Sequence, residues 1–151
     1  MAERTESSTT IDAAPAAIMA VIADLAAYPQ WSEGITSVEV LESQGDRPVL
    51  ARFVLDAGLI KDTYVLRYDW HGDTSVTWSL VEAGMLTLMD GAYALEPQDA
   101  ATTSVAYSLT VDVRIPLLGM LKRKAEKVIV DTALLGLKKR VEGDGTRPGQ
   151  R

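Results

Sequence analysis

Residues able to carry covalent or acid–base chemistry are scarce in this chain. It has no cysteine and one histidine, His71, in the turn-like Trp70-His71-Gly72-Asp73. Without cysteine there is no thiol nucleophile, no disulfide and no thiolate metal ligand. A lone histidine in a loop is more often solvated than catalytic, because a general base needs placement against the proton it takes. No Gly-x-Ser-x-Gly, phosphate-cradling glycine loop or His-Glu-x-x-His is present. No carboxylates gather as a hard cation would require. The sequence therefore assigns no catalytic residue, no metal and no cofactor. Asp90, in Met85-Leu86-Thr87-Leu88-Met89-Asp90-Gly91-Ala92-Tyr93-Ala94-Leu95, is the one carboxylate in an apolar run, where unpaired burial is costly. If Tyr93 and Leu95 face inward, a period of two turns Met89 and Gly91 inward and Asp90 to solvent. Glu39, Arg52 and Arg67 fall on outer faces in the same way.

What the chain offers instead is aromatic. Phe53, Tyr64, Tyr68, Trp70, Trp78, Tyr93 and Tyr107 share the inward phase of their strands. Such rings could simply be core. Tyrosines, however, carry a hydroxyl that needs a partner once buried. Several of them beneath one helix could line a cavity, where water or a polar ligand group satisfies them. Ligand pockets are mostly apolar with a few placed polar groups. Periodicity leaves cavity and solid core equally open.

The elements that position these rings follow from pattern. Thr- and Ser-rich Arg4–Ile11 reads as a strand. Pro15 suits the first turn of a helix that continues through Ala23, with a second short turn to Tyr28. Pro29 is expected to stop it, since it cannot donate a helical hydrogen bond. Gly34 then lets the chain enter a strand near Ile35. In Ala27-Tyr28-Pro29-Gln30-Trp31-Ser32-Glu33-Gly34, packing is expected for Tyr28. Trp31 is open between packing and the mouth of a cavity. From Val49 to Asp56, Lys61 to Trp70, Ser75 to Leu80 and Ser104 to Val113 the apolar residues alternate, as in an antiparallel sheet covered on one face. Turns are expected at Asp46-Arg47-Pro48, His71-Gly72-Asp73 and Pro97-Gln98-Asp99. From Pro116 to Glu142 the helical period returns. Leu118, Leu121, Ala125, Val128, Ile129, Thr132 and Leu135 form its apolar stripe, and Gly143 ends it. The order strand, short helices, about six strands and long helix is an α+β arrangement, with the helix crossing the concave face of a single sheet.

A length of 151 residues, 47% of them hydrophobic and 24% charged, suits one soluble globular domain, here 1–142, followed by a polar tail, 143–151, expected to be disordered. No run is long enough to span a membrane and no secretory signal is visible, which with the missing cysteines agrees with a cytoplasmic protein. The net charge of −6 argues against nucleic-acid binding, which rests on phosphate neutralisation. Charge is nevertheless uneven. Between Ile115 and Glu142 the cations Lys122, Arg123, Lys124, Lys127, Lys138, Lys139 and Arg140 outnumber the acids Glu126, Asp131 and Glu142 by four. A solvated helix face is the plain reading, and weak contact with an anionic membrane surface is the alternative.

Several strings resemble the START-like helix-grip superfamily, also termed SRPBCC or polyketide cyclase/dehydrase-like, and its small actinobacterial members in particular. They are Ala23-Asp24-Leu25 through Tyr28-Pro29-Gln30-Trp31, Lys61-Asp62-Thr63-Tyr64 with Tyr68, Asp90-Gly91-Ala92-Tyr93, and Leu118-Gly119-Met120-Leu121-Lys122-Arg123-Lys124-Ala125-Glu126. The resemblance runs from about Thr5 to Glu142. It implies a curved antiparallel sheet of about seven strands wrapped around the long C-terminal helix, with two short helices after the first strand. It also implies a hydrophobic cavity between them, in which relatives bind lipids, sterols, quinones, polyketides or plant hormones. Some relatives cyclise and dehydrate polyketides with polar pocket residues such as Arg, His or Tyr; here the inward faces supply tyrosines, while His71 and Arg67 are misplaced for that work. The expected function is therefore a non-catalytic carrier of a small hydrophobic ligand; the alternative is an aromatase/cyclase-type enzyme. The ligand-lining candidates are Trp31, Phe53, Tyr64, Leu66, Tyr68, Trp78, Met89, Tyr93, Tyr107, Leu109, Leu121, Ala125 and Val128. Oligomeric state is not readable from the sequence.

Overall fold

The computed structural model describes residues 4–32, 34–56, 61–114 and 119–143, and side chains on the last helix at 124 and from 126 onward. In chain order the elements are β1 (Thr5–Ile11), α1 (Pro15–Ala23), a 3-10 segment (Leu25–Gln30), β2 (Ile35–Gln44), β3 (Arg47–Asp56), β4 (Lys61–His71), β5 (Ser75–Ala83), β6 (Leu86–Asp99), β7 (Thr102–Val113) and α2 (Gly119–Glu142). The seven strands form one antiparallel sheet in the order β1-β7-β6-β5-β4-β3-β2. Consecutive strands are hairpin neighbours except at one place: β1, first in the chain, pairs with β7, the last. That pairing brings α2, which follows β7, across the concave face and onto β1.

The strands form where the sequence alternates. In β7, Thr103, Val105, Tyr107, Leu109 and Val111 point into the core while their neighbours are half-buried. In β6 a register shift between Leu86 and Leu88 resets the phase, so that Leu86 and Met89 are both buried. Asp90 faces solvent between buried Met89 and Gly91. Val65 departs from alternation, being buried between the inward residues Tyr64 and Leu66.

Two expected turns sit elsewhere. The β2–β3 hairpin turns at Gly45-Asp46, where Gly45 has a φ of 65° that other residues resist; Arg47 and Pro48 already belong to β3. Strand β6 runs through Pro97 to Asp99 and the turn follows at Ala100-Ala101. Pro97 is tolerated because a register shift separates it from Asp99, and prolines survive in strands at such irregularities. Pro29 likewise lies inside the 3-10 segment, whose short turn accommodates its fixed φ. The β5–β6 turn is held by a side chain. Asp62 Oδ1 accepts from the N–H groups of Thr63 and Gly84 at 2.9 and 3.0 Å, and Oδ2 accepts from Met85 and Leu86 at 2.8 Å each.

Helix α2 is rotated from the expected stripe. Val128 and Leu135 are 56% and 55% exposed, whereas Val130, Ala133, Leu134 and Leu137 are buried. Its buried flank includes a carboxylate. Glu126 accepts from the Thr5 hydroxyl and from the Val111 N–H, both at 2.9 Å, beyond the point where β1 stops pairing with β7. Farther along, Lys127 reaches Ser7, Lys138 reaches the Thr10 carbonyl and Glu142 accepts from the Asp12 N–H. This polar seam fixes the helix rotation, which apolar period alone left undetermined. The expected helix start at Pro116 and stripe position Leu118 lie outside the described residues, as does the tail from Asp144. Gly143 closes the helix by donating its N–H to the Lys139 carbonyl at 3.1 Å.

Candidate functional site

Between the concave face, the 3-10 segment and α2 lies a cavity of about 80 Å³. Its wall comprises Tyr28 and Ser32 beside the 3-10 segment, Ile35 of β2, Phe53 and Leu55 of β3, and Tyr64, Leu66 and Tyr68 of β4. Trp78 of β5, Met89 and Tyr93 of β6, Tyr107 of β7, and Ile129 and Ala133 of α2 complete it. Ser32, Ile35 and Ile129 are half-buried and mark its open side; the other wall residues are buried. Among the described residues, no charged side chain is in that wall.

Aromatic residues make up only 6% of the chain, yet all nine rings join one contact network around this space. Phe53 stacks on Tyr64 at 5.4 Å between centroids, and Tyr93 lies 4.6 Å from Tyr107. At the far end Tyr68 stacks on Trp70. The Trp70 indole donates to the Pro48 carbonyl at 2.6 Å, beneath the Arg47 guanidinium.

All five tyrosines reach the cavity wall, but their hydroxyls differ. That of Tyr28 donates to the Ile22 carbonyl. Among the described residues the hydroxyls of Tyr64, Tyr68, Tyr93 and Tyr107 have no hydrogen-bond partner, yet none counts among buried polar atoms sealed from solvent space. They therefore open onto the cavity. Burial pushes the pKa of each tyrosine up, and for all but Tyr107 the neighbouring hydroxyls push further. At neutral pH all five hydroxyls are protonated and able to donate.

Of the sequence candidates, Phe53, Tyr64, Leu66, Tyr68, Trp78, Met89, Tyr93 and Tyr107 stand in the wall. Leu109 is fully buried but lies in the core away from the wall. Val128 is a correction: the rotation of α2 turns it to solvent, and Ile129 and Ala133 take the inward place. The side chains of Leu121 and Ala125 lie outside the described residues. Trp31 is a second correction, exchanged with Tyr28. Tyr28 lines the wall, while Trp31 packs edge-on against it at 4.8 Å and against α2 at Gly136. A Cβ on Gly136 would lie 2.5 Å from the Trp31 carbonyl oxygen. The Trp31 indole N–H is buried without a partner among the described residues. Ser32, Ile35, Leu55 and Ala133 were missed. Leu55 shares the phase of Phe53, so alternation carried to the strand end would have found it; Ser32 has no sequence signal.

Residues first singled out for chemistry lie elsewhere. Asp90 is on the outer face, and His71 is exposed at the end of β4, 3.3 Å from Asp69. Arg52 pairs with Glu39 on the exposed side at 2.7 Å, and Arg67 is exposed. No group of three His, Asp or Glu that could hold a metal ion occurs among the described residues. No helix among them is long and apolar enough to cross a membrane.

Solved structures share the fold at low identity. A START superfamily protein from Mycobacterium smegmatis is 20% identical with a TM-score of 0.85, over 92% of this chain and 97% of that one. A protein from Thermus thermophilus is 22% identical with a TM-score of 0.83, over 95% and 100%. The Zhui aromatase/cyclase from Streptomyces sp. R1128 is 18% identical with a TM-score of 0.80, over 94% of each chain. The search of curated proteins gave no match. The family model for polyketide cyclase / dehydrase and lipid transport matches residues 11–138. The seven-stranded sheet closed on α2 over an aromatic cavity is the structure expected of that model, and the chain belongs to this START-like, helix-grip family.

Proposed function

We propose that the protein is a non-catalytic binding or carrier protein for a small, neutral, hydrophobic ligand held in the cavity. The observation that carries this reading is the composition of the wall: apolar and aromatic side chains with unpartnered tyrosine hydroxyls and, among the described residues, no charge. Burying a carboxylate or ammonium there would cost several kcal/mol with no counter-ion to offset it. A carbonyl or ether oxygen, by contrast, meets ready donors. A quinone, a small cyclic ketone or a polyketide-like fragment has that chemistry; a free fatty acid does not.

Catalysis is the second reading, favoured by the family description and by the fold shared with an aromatase/cyclase. Orientation of a keto chain by hydroxyl donors could lower a barrier without a base. Against it, burial keeps these tyrosines as neutral phenols that are weak acids and do not ionise to act as bases at neutral pH, and His71 and Asp90 are on outer surfaces. A cavity near 80 Å³ is also well below the roughly 300 Å³ at which drug-sized sites begin, so a full poly-keto chain does not fit without expansion.

Native mass spectrometry and solvent extraction of the purified protein test the binding reading. A neutral lipophilic compound should co-purify, and added quinone analogue should bind where a fatty acid does not. Protein that is empty and takes up neither quinone nor ketone defeats the reading. Turnover of a bound poly-keto substrate, blocked by Tyr107→Phe, would replace it with the enzymatic one.

A further inference from the structure

Strand β6 carries a glycine at the centre of the concave face, in the string Asp90-Gly91-Ala92-Tyr93. Gly91 is paired directly opposite Trp78 of β5 and is buried. A Cβ built there would lie 2.2 Å from the ring atoms Cε2 and Cζ2 of Trp78. No side chain tolerates that approach, so the indole can sit against the backbone of β6 because residue 91 is a glycine. Tyr68, Tyr93 and Tyr107 surround the indole at 5.6, 5.6 and 5.7 Å, which leaves it no other nearby seat.

The position matters for the cavity. Tyr28, beside the open side, contacts Phe53; Phe53 contacts Tyr68; Tyr68 contacts Trp78. Trp78 therefore stands three ring contacts in from Tyr28, between Tyr68 and the Tyr93–Tyr107 pair. The space left is about 80 Å³, while an apolar cavity of about 150 Å³ is enough for a single benzene ring. Met89 in the same wall is unbranched and able to yield, whereas the indole is held between the β6 backbone and three tyrosine rings.

We infer that Trp78, seated on Gly91, is the specificity-determining element of the cavity: it sets the depth and limits ligands to about the size of one ring. This rests on the binding reading proposed above and adds the size class of the ligand. The limit is absolute in neither direction, since replacing the indole opens the floor and a side chain at 91 lifts the indole into the remaining space.

Titration calorimetry with acetophenone and 2-acetylnaphthalene, which differ by one fused ring, tests the inference. The wild-type protein should bind acetophenone at least about ten-fold tighter, the loss that a group too large for its pocket commonly brings. Trp78→Ala should reverse that preference, and Trp78→Leu, which keeps an apolar floor should the alanine variant fail to fold, should weaken it. Gly91→Ala should lower both the melting temperature and the affinity for acetophenone. In the Trp78→Ala background the same glycine change should cost little, because the atoms it meets are gone. Equal binding of both ketones by wild type, or an unchanged ratio in the folded Trp78 variants, overturns the size limit while leaving the cavity a binding site. Gly91→Ala with unaltered stability and affinity overturns the seating. Failure of every variant to bind either ketone defeats the binding reading, and the size limit with it.

Discussion

At the scale of single residues, the tyrosines divide by what their hydroxyls touch. Tyr28→Phe removes a buried hydrogen bond and leaves the Ile22 carbonyl without its donor. A loss of about 1 kcal/mol or somewhat more is expected in denaturant unfolding, with ligand affinity little changed. Tyr107→Phe removes a hydroxyl that has no protein partner among the described residues, so stability should change by less than about 0.5 kcal/mol. The affinity for a ketone ligand should fall several-fold instead. If Tyr107→Phe were the more destabilising of the two, the hydroxyl would belong to the fold and not to the ligand. This division was invisible in sequence. Period two puts Tyr64, Tyr68, Tyr93 and Tyr107 on the inner face, but it cannot say which hydroxyl finds a carbonyl nearby.

At the scale of elements, β3, β4, β5 and β7 and most of their inward residues were legible because one-sided burial writes itself as alternation, which β2 does not show. Helix α2 was legible as a helix over Gly119–Glu142 and in its glycine stop, but not in rotation. Its sequence carries two apolar stripes, one through Val128 and Leu135 and one through Val130, Ala133, Leu134 and Leu137. The choice between them depends on Glu126, whose burial makes sense only once Thr5 and the Val111 N–H are seen opposite it. Glu126→Ala should therefore cost about 1–3 kcal/mol, more than an exposed glutamate would, because two donors lose their acceptor. A cost under about 0.5 kcal/mol would show that the seam does not set the rotation. Gly136→Ala is the second probe of the same helix. Alanine is the better helix former by about 1 kcal/mol, yet its Cβ would meet the Trp31 backbone, which cannot swing aside. A net loss of about 1–3 kcal/mol and a displaced Trp31 fluorescence band are expected; a gain in melting temperature would contradict the packing described.

At the scale of the whole molecule, charge and titration act together. The basic character of α2 is partly spent internally: Lys127 and Lys138 pair with Asp131 and Glu142 and reach β1. The excess of four cations counted for this segment already sets those two acids against them, so the pairing leaves the sum unchanged and fixes where the charge sits. The tyrosines give a collective pH dependence. Each has a folded pKa raised above its ordinary value of 10.0, so the folded state keeps protons that the unfolded chain releases. Their contribution is fully present below pH 10 and is lost as pH rises toward the folded values, by at most about 1.4 kcal/mol per pH unit for each tyrosine. Unfolding free energy should be flat between neutrality and pH 9 and then fall steeply. Tyrosinate absorbance should appear together with loss of the folded circular dichroism, whereas tyrosinate forming in an intact fold would show open hydroxyls.

The carboxylate of Asp62 has a consequence in a different observable. The amides of Gly84, Met85 and Leu86 sit at a hairpin turn, where backbone protons ordinarily trade with solvent almost as fast as in a free peptide. Bonded instead to a side chain on β4, they should exchange with deuterium at rates typical of strand interiors, and only when β4 and the hairpin part. In Asp62→Ala those three protons should become some of the fastest in the sheet while the amides of β7 keep their rates. Unchanged protection would mean that the hairpin holds its own turn.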